Sequence, residues 1–90
     1  MREIIPTTKF KKDLKKINRS GNDDKKEALK TVIRKLANDE LLDKKYCNHA
    51  LKGDFVSRME CHIKPDWLLI YRLERGKLIL ERTGSHSELF

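Results

Sequence analysis

The stretch that decides the fold runs from Trp67 to Gly84 and has the sequence WLLIYRLERGKLILERTG. Its first part, Leu68–Leu73, is almost continuously apolar, which is typical of a central strand covered on both faces. The next residues, Glu74–Lys77, include a glycine and predict a tight turn. The chain then alternates, with Leu78, Leu80 and Arg82 on one face and Ile79, Glu81 and Thr83 on the other. A β-hairpin at the centre of a small sheet is therefore predicted.

A third strand is predicted just before the hairpin. From Asp54 the residues alternate between two faces, one with Phe55, Ser57, Met59 and Cys61 and the other with Val56, Arg58, Glu60 and His62. Lys64, Pro65 and Asp66 then supply a turn. The preceding segment, Asn38–Gly53, has no clear period and is predicted to be a loop.

The first half of the chain has the period of helices. Arg2–Pro6 predicts a short edge strand, which the proline ends. Thr7 or Thr8 can cap a helix whose apolar face carries Phe10, Leu14 and Ile17. After a break at 20–22, a second helix carries the stripe Leu29, Val32, Ile33 and Leu36. The short link predicts an antiparallel helical hairpin.

The order β-α-α-β-β-β predicts an α+β fold for the whole chain. Ninety residues make one domain, 1–90, with room for one sheet and a pair of helices. We expect a small antiparallel-type sheet with the N-terminal helical hairpin packed on one face.

The charge of the chain is unevenly distributed. The net charge is +7, and residues 1–45 hold 14 basic against 8 acidic side chains. Such a basic half favours a polyanionic partner, nucleic acid first and an anionic membrane second. The alternative is a lysine-rich surface that only keeps the protein soluble.

The cysteines and the hydropathy of the chain indicate its cellular compartment. Cys47 and Cys61 form no C-x-x-C pair, which favours a reduced, cytoplasmic protein. No apolar run approaches the roughly 20 residues that span a bilayer, so no membrane partner is expected.

The ends of the hairpin bring reactive side chains together. His62 and Asp66 precede it, Arg82 and His86 lie at its end, and the two ends of an antiparallel hairpin are neighbours. Histidine exchanges protons near neutral pH, and the planar guanidinium of arginine suits a phosphate. With His49 in the nearby loop, this set suits phosphodiester transesterification, in which a base activates a ribose 2′-OH and an acid protonates the leaving 5′ oxygen. RNA is required, since DNA has no 2′-OH, and no metal or cofactor is needed.

Several alternatives compete with that hypothesis. Each histidine could be an ordinary surface residue. Zinc is disfavoured, because Cys61 and His62 are adjacent and point to opposite faces of a strand. Trp67 could be core rather than a stacking platform, and Phe90 could be a packed anchor or a surface on which a base stacks.

Three segments carry a family resemblance. They are YCNHALKG at 46–53, ECHIKPDWLLIYRL at 60–73 and LILERTGSHSELF at 78–90. In these segments the chain resembles the RelE/ParE superfamily of bacterial type II toxins, specifically the YafQ-type mRNA interferases. The N-terminal helices resemble the family in pattern only.

The resemblance implies a toxin that is a ribosome-dependent endoribonuclease cleaving mRNA. By position it implies a catalytic set of His49, His62, Asp66, Arg82 and His86. Trp67, Phe90 and Lys52 would bind substrate, and Lys11, Lys12, Lys15 and Lys16 would face ribosomal RNA. Our hypothesis for the roles is His86 as general acid and His62 or Asp66 as general base. Arg82 would stabilise the phosphate, and His49 would orient or stabilise charge.

The resemblance also implies partners. A cognate antitoxin of the DinJ/RelB type, with a ribbon-helix-helix domain, would neutralise the toxin and carry it to operator DNA. Two other functions stay open: a ParE-like toxin that binds gyrase without nuclease activity, and a small basic RNA-binding module without catalysis.

Overall fold

A computed structural model describes residues 1–20, 23–50 and 58–89, with the backbone alone for residues 18–20, 23, 49 and 50. In chain order the elements are β1 (Glu3–Pro6), α1 (Thr8–Ser20), α2 (Asp23–Ala37), a 3-10 turn (Lys44–Tyr46), β2 (His49–Ala50), β3 (Met59–Lys64), β4 (Trp67–Glu74), β5 (Lys77–Gly84) and α3 (His86–Leu89). Among the described residues, no helix is both long and apolar enough to cross a membrane.

The strands form one five-stranded sheet in the order β1-β5-β4-β3-β2. The predicted α+β architecture and the central hairpin β4–β5 are confirmed. The expectation of an antiparallel sheet holds from β2 to β5, but β1 pairs parallel with β5. The helical hairpin carries the chain across the sheet, from β1 at one edge to β2 at the other. The segment predicted to be a loop contains the short strand β2.

Helix α1 begins where the sequence predicts. Thr7 caps it, because its Oγ1 accepts a hydrogen bond from the Phe10 amide at 3.2 Å. Phe10 and Ile17 are buried against the sheet. Asp13 is also buried, and at i+3 from Phe10 it lies on the same helical face.

The core lies between the two long helices and one face of the sheet. Its buried members come from α1, α2 and the three long strands, and include Phe10, Ile17, Leu29, Val32, Leu36, Cys61, Leu69, Tyr71, Leu78 and Leu80. Leu68 and Ile70 alternate with Leu69 and Tyr71 along β4, so they lie on the other face. We call that face the open face.

The strict alternation predicted for β5 is wrong, because the strand contains a β-bulge. Tyr71 pairs with Leu80 and Ile70 pairs with Arg82, so Glu81 is an extra residue without a partner in the register. Arg82 therefore lies on the open face with Ile70, not on the face of Leu80 as strict alternation predicted. A bulge depends on pairing with another strand, which sequence periodicity does not report.

Candidate active site

Two rows of paired residues cross the open face. One row joins His62, Leu68 and Gly84, and the next joins Glu60, Ile70 and Arg82. Directly opposed residues share a face and stand about 5 Å apart. The register therefore brings His62 and Arg82 to the same face, on neighbouring rows and two strands apart.

His62 is held by a carboxylate that the sequence analysis did not select. Its Nε2 lies 3.2 Å from Glu60 Oε1, and the side chains of His62 and Glu60 are 28% and 5% exposed. A buried acceptor at this distance orients the imidazole ring and favours the tautomer that carries its proton on Nε2. In that tautomer Nδ1 has the lone pair that can accept a proton. The signal was the i, i+2 spacing of Glu60 and His62 on one strand face.

Arg82 is held by a second carboxylate, from α1. Its Nε donates to Asp13 Oδ2 at 2.7 Å and its Nη2 donates to Oδ1 at 3.2 Å. The amide of Thr83 also donates to Asp13 Oδ2, at 3.1 Å. The hydrogen bonds to Asp13 raise the pKa of Arg82, so the guanidinium stays charged. The three guanidinium hydrogens at the Nη1–Nη2 end that Asp13 does not use can bind a phosphate.

Asp13 was not among the predicted site residues. Its lysine neighbours made it look like one more residue of a charged surface, although its spacing from Phe10, Leu14 and Ile17 puts it on the apolar stripe. A single acid within such a stripe indicates a buried partner, because a buried charge is stable only when it is paired.

His86 is the first residue of α3 and is exposed. At the helix start Ser85 donates to Glu88 Oε1 from its amide at 3.0 Å and from its hydroxyl at 2.8 Å, and the first of these bonds is one half of a capping box. These two hydrogen bonds lower the pKa of Glu88. The cap fixes His86 two residues beyond Gly84, which ends the row that contains His62.

Asp66 and Trp67 lie at the turn between β3 and β4. Asp66 is exposed in the turn itself. Trp67 is 9% exposed and belongs to the core, with Lys25 Nζ 4.6 Å from its ring centroid. This burial matches the core alternative for Trp67. Its buried indole N–H has no hydrogen-bond partner within the described ranges.

The structure describes the remaining predicted residues only in part. His49 pairs with Glu60 across β2 and β3, so its backbone lies in the row that contains Arg82. The side chain of His49 is not among the described parts of the structure. Lys52 and Phe90 lie outside the described residues. Lys11, Lys12, Lys15 and Lys16 are all exposed on α1.

Cys61 and His62 diverge as the alternation predicts. Cys61 is fully buried in the core, whereas His62 lies on the open face. Burial, with a smaller contribution from the charge of Glu60, raises the pKa of Cys61 to about 12. The thiol is therefore neutral at pH 7.

Comparison with known proteins identifies the family. Residues 2–90 match the family model of the bacterial toxin of type II toxin-antitoxin systems, YafQ. The chain belongs to the YafQ toxin family. The mRNA interferase toxin YafQ of Escherichia coli K12 is 37% identical over 90 residues, covering 99% of this chain and 96% of that protein.

Solved structures of YafQ-family toxins and similar proteins share the whole fold. A crystal structure of a metal-bound toxin from Helicobacter pylori is 43% identical, with a TM-score of 0.92 and full coverage of both chains. The DinJ-YafQ complex of E. coli contains a chain that is 34% identical, with a TM-score of 0.89 and coverage of 100% of this chain and 99% of that one. The family predicted from the three sequence segments is thus confirmed.

Proposed function

We propose that this chain is an mRNA interferase that cleaves mRNA on the ribosome by acid/base transesterification without a metal. The observation that carries the proposal is the shared open face of His62 and Arg82, each held by its own buried carboxylate. An oriented imidazole and an oriented guanidinium are what a phosphodiester cleavage site requires. The name of the E. coli relative, an mRNA interferase, supports the same activity.

The reaction forms one bond and breaks one bond. A general base, His62 or Asp66, takes the proton of the ribose 2′-OH, and the 2′ oxygen attacks the adjacent phosphorus. Arg82 neutralises the charge that builds on the phosphoryl oxygens. The bond from phosphorus to the 5′ oxygen breaks, and His86 gives that oxygen a proton. The products are a 2′,3′-cyclic phosphate and a 5′-hydroxyl.

The contact between His62 and Glu60 bears on which group is the base. If Nε2 donates to Glu60, then Nδ1 is the nitrogen that can accept the 2′-OH proton. Asp66 is exposed in the adjacent turn and is the other candidate. His49, whose backbone lies opposite Glu60, would orient or stabilise charge in the same row.

The partners follow from the family and from the charge. A cognate antitoxin of the DinJ/RelB type is supported by the DinJ-YafQ complex of E. coli, and operator DNA would be bound through that antitoxin. The exposed face of Lys11, Lys12, Lys15 and Lys16 suits ribosomal RNA. The site of action would be the cytoplasm, where mRNA is translated.

Primer extension on mRNA from expressing cells tests the activity. We expect discrete cleavage sites that vanish in His86→Ala, a change at an exposed position that should leave the fold intact. Lys77→Ala, at the far end of β5, is the matched control and should cleave like the wild type. Growth arrest with intact transcripts would instead indicate the ParE-like gyrase toxin, and unimpaired growth would contradict both.

The role of a metal needs its own experiment, because the similar toxin from H. pylori has been crystallised with bound metal. We expect cleavage by the purified toxin on washed ribosomes to persist after the toxin alone has been treated with a chelator and desalted. Loss of activity that is restored by one metal ion would overturn the metal-independent mechanism.

A further inference from the structure

A small pocket lies on the open face beside Arg82. Four segments line it: Lys9 from α1, Arg58 just before β3, Ile70 from β4, and Glu81 with Arg82 from β5. Its volume is ≈ 180 Å³, which suits a small group such as a phosphate rather than a whole nucleotide. Apart from Arg82, none of these residues has a role in the proposed reaction.

The pocket is cationic, and its arginines are held in place. Glu81 is shared, since its Oε2 lies 3.6 Å from Arg58 Nε and its Oε1 lies 3.4 Å from Arg72 Nε. Arg82 is held by Asp13, also through Nε. Arg72 also pairs with Glu74, at 3.0 Å. The cations lining the pocket, Lys9, Arg58 and Arg82, are thus opposed by Glu81 and Asp13, which leaves one positive charge in excess.

The bulge in β5 creates this arrangement. The extra residue, Glu81, lets both Glu81 and Arg82 contribute to the pocket, whereas regular alternation would send neighbouring side chains to opposite faces. Ile70, which is fully buried, forms the apolar wall of the pocket. The pocket therefore has a rigid wall, which lowers the entropy cost of binding a ligand.

We propose that Lys9 and Arg58, beside Arg82, form a subsite for the mRNA phosphodiester next to the linkage that is cut, while Arg82 binds the phosphate of the cut linkage itself. The inference rests on the proposed function. Arginines that are already positioned bind a phosphate with charge-assisted hydrogen bonds. Arg58 and Arg82 line one pocket, and His62 lies on the same face, roughly 7 Å along the strands and roughly 10 Å across them from Arg82. An RNA strand on the open face can therefore place one phosphate at Arg82 and the next at Arg58 and Lys9.

A chemical double-mutant cycle tests the subsite. Programmed ribosomes receive mRNA with the natural phosphate, or with a neutral methylphosphonate at one of the linkages flanking the scissile bond. We expect the neutral linkage on one side to lower kcat/KM of the wild type about tenfold, the value of one charge-assisted contact. Arg58→Ala should lose a similar factor on natural mRNA and should then be insensitive to the neutral linkage.

Two further variants test whether the effect is specific to the cations of the pocket. Arg75→Ala removes an exposed arginine at the opposite end of the hairpin, and it should keep the full sensitivity to the neutral linkage. Lys9→Ala changes an exposed side chain with little effect on folding, and it should lower the salt dependence of kcat/KM by about one charge.

The outcomes separate this inference from the proposed function. If wild-type protein cleaves but Arg58→Ala remains as sensitive as wild type to the neutral linkage, the subsite is overturned while the nuclease stands. If Arg58→Ala instead weakens sedimentation with ribosomes that lack mRNA, the phosphate belongs to ribosomal RNA and the assignment to mRNA is overturned. If wild-type protein cleaves neither mRNA, both proposals fail.

Discussion

Asp13 on α1 accepts hydrogen bonds from Arg82 on β5 at both carboxylate oxygens, from Nε at 2.7 Å and from Nη2 at 3.2 Å. Asp13 also accepts a hydrogen bond from the backbone N–H of Thr83, which lies where β5 extends beyond its pairing with β1. One buried acid thus joins the lysine-rich helix to the arginine of the candidate site and satisfies an edge N–H of the sheet.

Asp13→Asn should lower kcat with little change in KM. The asparagine side chain can still accept a hydrogen bond from the Thr83 N–H, but it carries no charge to pair with the Arg82 guanidinium. We expect kcat to fall at least tenfold and stability to fall by about 1 kcal/mol. Asp13→Ala should cost about 2 kcal/mol, since it leaves the buried Thr83 N–H unpaired. Single-turnover cleavage and thermal unfolding measure the two effects.

The control for Asp13 is Asp24→Asn, which makes the same charge change at an exposed position of α2. It should leave kcat unchanged and lower stability by no more than about 0.5 kcal/mol, since Asp24 lies in the first turn of α2 and its charge favours the helix dipole. A kcat that is unaltered in Asp13→Asn would show that Arg82 needs no help from α1.

Glu60→Gln should reduce kcat about tenfold by loosening the ring of His62, whose Nε2 lies 3.2 Å from the carboxylate. The matched control is Glu40→Gln, at an exposed position. Single-turnover rates across a range of pH would show the loss, together with a change in the shape of the profile. Identical profiles for the two variants would mean that Glu60 only fills space.

The cap of α3 should depend on pH through Glu88. Hydrogen bonds from Ser85 lower the pKa of Glu88 from its ordinary value of 4.5. A lowered folded-state pKa means that the contribution to stability is present above about 4.5 and is lost as the pH falls through the lower folded value. NMR should show the Ser85 amide resonance shifting in that acid range, with a fall in the protection of this amide relative to its intrinsic exchange rate.

Glu88→Gln should remove most of that pH response, because a glutamine carries no titrating proton. Glu27→Gln, at an exposed position on α2, should retain it. An equal acid transition at Ser85 in both variants would assign the effect to another group.

The two cysteines should react at very different rates. Cys47 is exposed, whereas Cys61 is buried and its pKa is raised to about 12. A thiol-specific reagent should therefore modify Cys47 quickly and Cys61 only when the protein unfolds. Labelling with and without urea, in wild type and in Cys47→Ser, measures both rates, and fast labelling of Cys61 in folded protein would contradict its place in the core.

Much of the fold is determined by local sequence. The apolar run at Leu68–Leu73 and the alternation after Gly76 predict the hairpin because strand periodicity and turn chemistry are properties of neighbouring residues. The stripe through Phe10 and Ile17 predicts α1 for the same reason. The family follows from the segments around His62 and His86, and it too needs no coordinates.

The supporting contacts of the candidate site were decided by tertiary structure. The contact between Asp13 and Arg82 joins residues 69 positions apart, and the bulge at Glu81 exists only in the register with β4. Sequence shows which side chains have suitable chemistry, but the strand pairing decides which of them share a face. Pairing depends on the packing of the whole chain, because each strand completes its hydrogen bonds only with a distant partner.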